Sequence, residues 1–265
     1  MPIGIFESEV LRLIAHNRSP ESHVAGATVL NQGADSPRIS NDIDLFHDTE
    51  EVLRVAFHTD VETLKSAAYQ VEVLRDLITF KRAVVSKAHQ RTKIEWVRDS
   101  AFRFFPTEPD PQLGYRLNLW DAATNKVLAA AGRAAIRDYT DLLHLHMNAL
   151  SIGALVWAAA GKDGGLSPGF ILEEMQRLQK YPPEEYDKLM LVIPCAPPAL
   201  KKIWLTAMRE AQELFDLLLD LDAPYGCFFL DAQGEPQTPT RETLATLRPH
   251  YGSVRGCWPR IVEEE

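Results

Sequence analysis

The residues Asn41-Asp42-Ile43-Asp44-Leu45-Phe46 constrain this chain more than any other stretch. β-Branched and aromatic side chains alternate there with carboxylates, over a length that suits one strand. Side chains two apart on a strand share a face. Asp42 and Asp44 therefore project together, while Ile43 and Leu45 point into a core. Two partly buried carboxylates about 4 Å apart repel by roughly several kcal/mol unless a cation balances them, and hard oxygen donors of this kind suit Mg²⁺. Upstream, Gly26-Ala27-Thr28 lies between the apolar Val24-Ala25 and a short helix. Its backbone N–H groups and hydroxyl suit a phosphate. Arg38 and Ser40, between the two motifs, add a fixed cation and a second hydroxyl.

An Asp-x-Asp pair alone is common at strand ends, and a lone Gly-x-Thr says less. The ordered set of Gly-x-Thr, Arg-x-Ser-x-Asp-x-Asp and an apolar continuation is more specific. On these residues the chain resembles the nucleotidyltransferases of the AbiEii/AbiGii toxin type, within the superfamily that shares the DNA polymerase β catalytic core. Ala27 departs from that pattern, which usually has a second glycine before the Thr or Ser.

Composition bounds the remaining choices. A chain of 265 residues with 46% hydrophobic and 25% charged residues is an ordinary globular protein of one large domain or two modest ones. Its net charge of −9 excludes a surface that is basic throughout, though not a local basic groove. Cys195, Cys227 and Cys257 form neither a C-x-x-C pair nor a disulfide framework, and they read as buried small hydrophobes in a reducing cytosol. The N-terminal residues lack the features of a secretion signal. The most apolar run, 149–160, is shorter than the ~20 residues a bilayer needs. A cytoplasmic protein without membrane association is expected.

Apolar spacing predicts a helix over 4–16, stopped by Asn17-Arg18-Ser19-Pro20, and a second from Asp48 to about Gln70. Residues 71–74, 77–85 and 92–97 read as strands. The proline-rich segment Phe105–Pro111 marks the expected boundary between domains at 1–110 and 111–265. Beyond it, helices are expected over 121–131, from 136, and over 142–161, 167–180, 184–193 and 198–221, with a hairpin turn at Asp231–Gly234. The fold class is α+β: an N-terminal mixed sheet with flanking helices, then a mainly helical C-terminal domain. His144 and His146 diverge on a helix and make a poor zinc pair, and Gly161-Lys162 lacks the spacing of a P-loop.

The resemblance assigns further residues. The family carries a third carboxylate on a neighbouring strand, and Glu95, in Lys93-Ile94-Glu95-Trp96-Val97, stands where it is expected, although Asp is commoner there. The alternative is a surface glutamate paired with Lys93 or Arg98. The family also has a lysine in a helix after the sheet, followed by an Arg-Asp-x-x-Asp-Leu segment. Those roles carry over to Lys126, as a phosphate ligand, and to Asp138 or Asp141, as support; helix-terminal acids placed for the dipole are the plain alternative. Five Lys or Arg residues and no acid in 81–93 suit either a phosphate-contacting hairpin or a solvated one.

The resemblance implies a transferase that uses Mg²⁺ and an NTP. Asp42, Asp44 and Glu95 would hold the metal, and Gly26, Thr28, Arg38, Ser40 and Lys126 the nucleotide, in a cleft between the two halves. The acceptor would be RNA such as tRNA, or a protein side chain, with toxicity restrained by an antitoxin. Nucleotidylation of a small molecule such as an antibiotic, and a catalytically silent binding module, are the alternatives.

Overall fold

The computed structural model describes residues 3–32, 36, 38–39, 42–178, 181–187, 189, 191 and 196–259. Two compact units make up the chain: Met1–Ala122 with Val254–Gly256, and Ala123–Ser253 with Cys257–Glu265. The division falls inside a helix, further along than the proline-rich segment.

The first unit runs α1 (Ile5–Ile14), β1 (Ser22–Val24), α2 (Gly26–Leu30), β2 (Asp42–His47), α3 (Glu50–Ser66), β3 (Gln70–Asp76), β4 (Phe80–Lys87), β5 (Gln90–Arg98), β6 (Phe102–Arg103), β7 (Glu108–Asp110) and β8 (Gly114–Arg116). Seven strands form one sheet in the order β3-β4-β5-β2-β1-β8-β7. It is mixed: β2 runs parallel to β5 and β1 to β8, and the other pairs are antiparallel. Pro109 is tolerated because β7 is an edge strand, where a missing N–H costs no ladder bond. Period-two alternation gives the sheet two unlike faces. Ile43, Leu45, Ala83, Val85, Ile94 and Trp96 are fully buried on one, under α1 and α3, which pack on β2 and β5. Asp42, Asp44, Arg82, Val84, Lys93 and Glu95 are partly exposed on the other.

Thr49 starts α3 by accepting a hydrogen bond from Val52 N at 3.2 Å, with Glu50 and Glu51 favourably placed in the first turn. A continuous strand over 77–85 does not form. The chain reverses at 77–79, Leu77 N donating to Phe80 O at 2.9 Å, and β4 then pairs back along β3 with Lys81 beside Asp76.

One buried carboxylate ties this unit together. Asp60, on α3, accepts from Asn17 Nδ2 at 2.9 Å, Arg18 Nη2 at 2.5 Å and Trp96 Nε1 at 2.8 Å. It thereby joins the turn after α1, the long helix and β5. The same side of the sheet holds His47, fully buried, with neither ring nitrogen hydrogen-bonded among the described residues. Burial, with the Arg18 charge adding to it, pulls its pKa down to about 3.

The second unit is built from α4 (Leu119–Gly132), which crosses the division, α5 (Ile136–Asn148), α6 (Ile152–Ala159), α7 (Pro168–Leu178), α8 (Pro183–Asp187) and α9 (Pro197–Asp220), followed by β9 (Cys227–Leu230), β10 (Pro236–Gln237) and β11 (Arg248–Tyr251), and β12 (Ser253–Val254) crosses the division again. The expected helix over 142–161 is broken at 149–151. Leu145 O takes both Ala149 N and Leu150 N, which ends α5, and Ser151 Oγ accepts from Ala154 N at 3.2 Å, which starts α6. Every residue of α6 is buried, and it packs against α5, α7, α9 and β9. A Cβ on Gly153 would lie 2.9 Å from Ala211 Cα, so the glycine permits the close approach to α9. The tail folds into a three-stranded sheet, β10-β9-β11, its first hairpin turning at Asp231–Gly234.

Cys227 is buried, its thiol pushed up to about 12 by burial. Cys257 is exposed, contrary to the sequence reading, because it sits in the irregular segment after β12. Cys195 lies outside the described residues. No single helix among the described residues is long and apolar enough to cross a membrane.

Two stability outcomes follow. Asp60→Ala strands the buried Arg18 guanidinium and is expected to cost about 3–5 kcal/mol in denaturant unfolding. The unfolded chain protonates His47 near pH 6.5, whereas the folded chain does so only near pH 3. Folding stability therefore falls as pH drops between those values, by about 1 kcal/mol per pH unit from this group. Denaturation midpoints measured from pH 7 to pH 4 should fall less steeply for His47→Leu than for the native chain.

Candidate active site

The parallel register of β2 and β5 decides the geometry on the open face of the sheet. Asp42 lies opposite Lys93 and Asp44 opposite Glu95, while Arg82 of β4 lies opposite Glu95 from the other side. Three carboxylates and two cations thus share one small area. Lys93 Nζ is 3.0 Å from Asp42 Oδ2 and 3.1 Å from Glu95 Oε1. Arg82 reaches the same Glu95 oxygen through Nε at 3.0 Å and Nη2 at 2.9 Å. Burial pulls the Lys93 pKa down, but hydrogen bonds and charge from Asp42 and then Glu95 outweigh it, and the net shift is upward. Lys93 therefore stays an ammonium at neutral pH.

The turn before α2 is fitted to Asp44. Gly26 has φ +64°, and a Cβ there would lie 2.2 Å from Asp44 Oδ2. Only glycine satisfies both the left-handed backbone and the carboxylate's approach. Ala25 N donates to Asp44 O at 2.9 Å, which holds the end of β1 against β2. Thr28 is buried, and its hydroxyl donates to Asp42 O at 3.3 Å, so it braces the strand that carries the acids. Arg38 is also buried; Ser36 Oγ bonds its carbonyl at 3.0 Å and Asn31 Oδ1 at 2.5 Å, fastening the segment to the end of α2. Ser40 lies outside the described residues.

In the second unit, Lys126 of α4 meets both aspartates of α5. Its Nζ is 2.7 Å from Asp138 Oδ1 and 3.1 Å from Asp141 Oδ2, and all three side chains are buried. The helical spacing of Asp138 and Asp141 puts both on one face, and a single lysine spans them. Arg133 donates from Nε to Asp138 Oδ2 at 2.8 Å. Burial pushes the Asp138 pKa up, but the Lys126 charge and hydrogen bonds from Arg133 and Lys126 hold it below the ordinary value.

The basic run 81–93 is largely spent inside the first unit. Lys81 pairs with Asp76 and lies over the Phe57 ring, Lys87 donates to Ala67 O and lies over Tyr69, and Arg82 and Lys93 hold the acids. Arg91 is exposed.

No protein-family model matches the chain, and no curated protein matches it. Among solved structures, MenT4, the nucleotidyltransferase toxin Rv2826c from Mycobacterium tuberculosis H37Rv, superposes with a TM-score of 0.54 at 16% identity, over 78% of this chain and 82% of that one. The chain has a nucleotidyltransferase fold. JHP933 from Helicobacter pylori aligns at 18% identity over 81% of this chain and 92% of its own, with a TM-score of 0.48, too low to carry an argument. At these identities a nucleotidyltransferase fold speaks for architecture, and the site must be argued from its residues.

Within that fold the structure gathers Gly26, Thr28, Asp42, Asp44 and Glu95 around the β2–β5 register, and Lys126, Asp138 and Asp141 around the α4–α5 pair. Sequence reasoning had Lys93 as one alternative partner of Glu95, placed Arg82 and Lys93 together in a basic hairpin, phosphate-contacting or solvated, and assigned no role to Arg133. Strand parity supplied a signal for Arg82: counted back across a tight hairpin from Glu95, it falls on the same face. Among the described residues no group of three or more His, Cys, Asp or Glu side chains is arranged to hold a metal ion; Asp42 is drawn onto Lys93, and Glu95 onto Lys93 and Arg82.

Lys126→Met leaves Asp138 and Asp141 buried together without their shared ammonium. Thermal or denaturant unfolding should show a loss of about 3–5 kcal/mol, and Lys126→Met/Asp138→Asn/Asp141→Asn should recover part of it.

Proposed function

We propose that this chain is a nucleotidyltransferase that moves a nucleoside monophosphate from an NTP to an acceptor hydroxyl on RNA, such as a tRNA end, or on a protein. The observation that carries this reading is the placement of Asp42, Asp44 and Glu95 on one open face of the parallel β2–β5 pair, with the Gly26 turn against Asp44. The fold shared with a nucleotidyltransferase toxin supports it.

The donor set suits a divalent cation such as Mg²⁺ in its chemistry, while its arrangement, closed onto Lys93 and Arg82, is not that of a formed metal site. The donors are hard carboxylate oxygens, and the cluster already draws a lysine ammonium between two of its members. Held by Asp42, Asp44 and Glu95, such an ion would neutralise charge on the NTP phosphates. The remaining work falls to the chain's own groups. The Gly26 turn keeps Asp44 in place, and Thr28 fixes β2 through the Asp42 carbonyl. Arg38 and Ser40 are the groups assigned to the phosphates, whereas the Lys126 ammonium is buried against Asp138 and Asp141 within the second unit and is given no part in the transfer. Glu95 accepts the proton of the acceptor hydroxyl as its oxygen bonds the α-phosphorus, and the bond to the β-phosphate breaks to release pyrophosphate. MenT4 is named a toxin, and on that likeness we assign this chain the same role, restrained by a separate antitoxin protein.

One observation favours a second acceptor class. Lys81, Arg82, Lys87 and Lys93 are committed to partners within the first unit, so this hairpin offers little charge to a polynucleotide track. A small-molecule acceptor hydroxyl fits that arrangement.

Incubation with Mg²⁺ and each α-labelled NTP, separately with total RNA, cell protein and aminoglycoside-type small molecules, tests both readings. Label should enter one acceptor class with the native chain, and Asp42→Asn should reduce transfer by about a hundredfold or more. Undiminished transfer by Asp42→Asn would overturn the assignment.

A further inference from the structure

We propose that Lys93 is a displaceable internal counter-ion of the Asp42–Asp44–Glu95 face, a positioning residue that sets how tightly these carboxylates bind a divalent cation. This deepens the reading of the site as a nucleotidyl-transfer centre and rests on it.

The argument is one of charge, placement and reach. Asp42, Asp44 and Glu95 bring three carboxylates to one patch, and Lys93 and Arg82 are cations lodged among them. The two cations are held differently. Arg82 engages Glu95 through two nitrogens of a rigid planar group, which also lies over the Phe80 ring at 5.1 Å. Lys93 bridges Asp42 and Glu95 through a single ammonium at the end of a flexible stem. Its side chain is 32% exposed on the open face of the sheet, so it can swing away without breaking the core on the other face. When it leaves, Arg82 still holds Glu95, and Ala25 N still bonds the Asp44 carbonyl. A point charge has no directional demand that an incoming cation could not meet better. Because Asp42 is shared between Lys93 and any bound metal, the two compete for the same oxygen. A released ammonium would lie beside the acids, within reach of the anionic phosphate that a metal brings in.

This arrangement also suits folding. Three acids on one face would repel one another in a metal-poor setting, and the lysine offsets part of that repulsion between Asp42 and Glu95.

The test is binding of Mn²⁺ alone, by electron paramagnetic resonance or calorimetry, to the chain without nucleotide. Lys93→Met should bind at least about tenfold more tightly than the native chain, and adding Asp42→Asn should abolish the gain. Lys93→Arg keeps the charge on a two-pronged head and should bind no more tightly than native. Thermal unfolding of the same set should show a larger rise on adding Mn²⁺ for Lys93→Met than for native. Native binding that is unchanged or weakened in Lys93→Met, or tightened in Lys93→Arg, overturns the counter-ion role and leaves nucleotidyl transfer standing. Binding by neither native nor Lys93→Met overturns the metal reading of the site and this proposal with it. If Lys93→Met does not fold, the Lys93→Arg comparison decides.

Discussion

The mutual repulsion of carboxylates on one sheet face is the constraint on which the first unit turns. Asp42, Asp44 and Glu95 come together because β2 and β5 are parallel and in register, and that juxtaposition is stable only with positive charge among them. Lys93 and Arg82 supply it, one from β5 itself and one from β4. The opposite face pulls the same way. Ile43, Leu45, Ile94 and Trp96 are buried under α1 and α3, so neither strand can slip by one residue without exposing them. The acids are held in register by the oil behind them.

Buried charge recurs as a fastening device in each unit. Asp60 gathers a loop, a helix and a strand in the first; Lys126 joins α4 to α5 through Asp138 and Asp141 in the second. Replacing such groups with well-packed apolar residues is often neutral, whereas losing one partner is costly. Their value lies in specifying one arrangement of elements. His47 is the counterpart case: buried as a neutral base, it links the sheet's integrity to pH.

The shared fold with a nucleotidyltransferase toxin at 16% identity shows how little of such an architecture depends on particular residues. Alternating burial in the strands and the α1 and α3 stripes can be met by many sequences. Function in such folds lives in a few side chains grafted on the scaffold, and Gly26 and the strand acids are the ones proposed here.

The strand at Asp42–His47, the helices over 5–14 and 50–66, and the hairpin of β4 and β5 were legible in the chain, because local periodicity reports burial directly. So was the hairpin at Asp231–Gly234, whose Asp and Gly have a turn chemistry of their own. The turn at 77–79 and the break at 149–151 were not. Their residues are apolar and look continuous, and only pairing along β3 and the Ser151 cap showed where the backbone departs. For the site, the sequence alone determined that Asp42 and Asp44 share a face and that a cation must answer them. Which cation the protein itself offers was settled by tertiary structure: Lys93 and Glu95 share a face of β5 already, but Lys93 reaches Asp42 only when β2 aligns beside β5, and that parallel pairing joins residues far apart in the chain whose register no local periodicity reports.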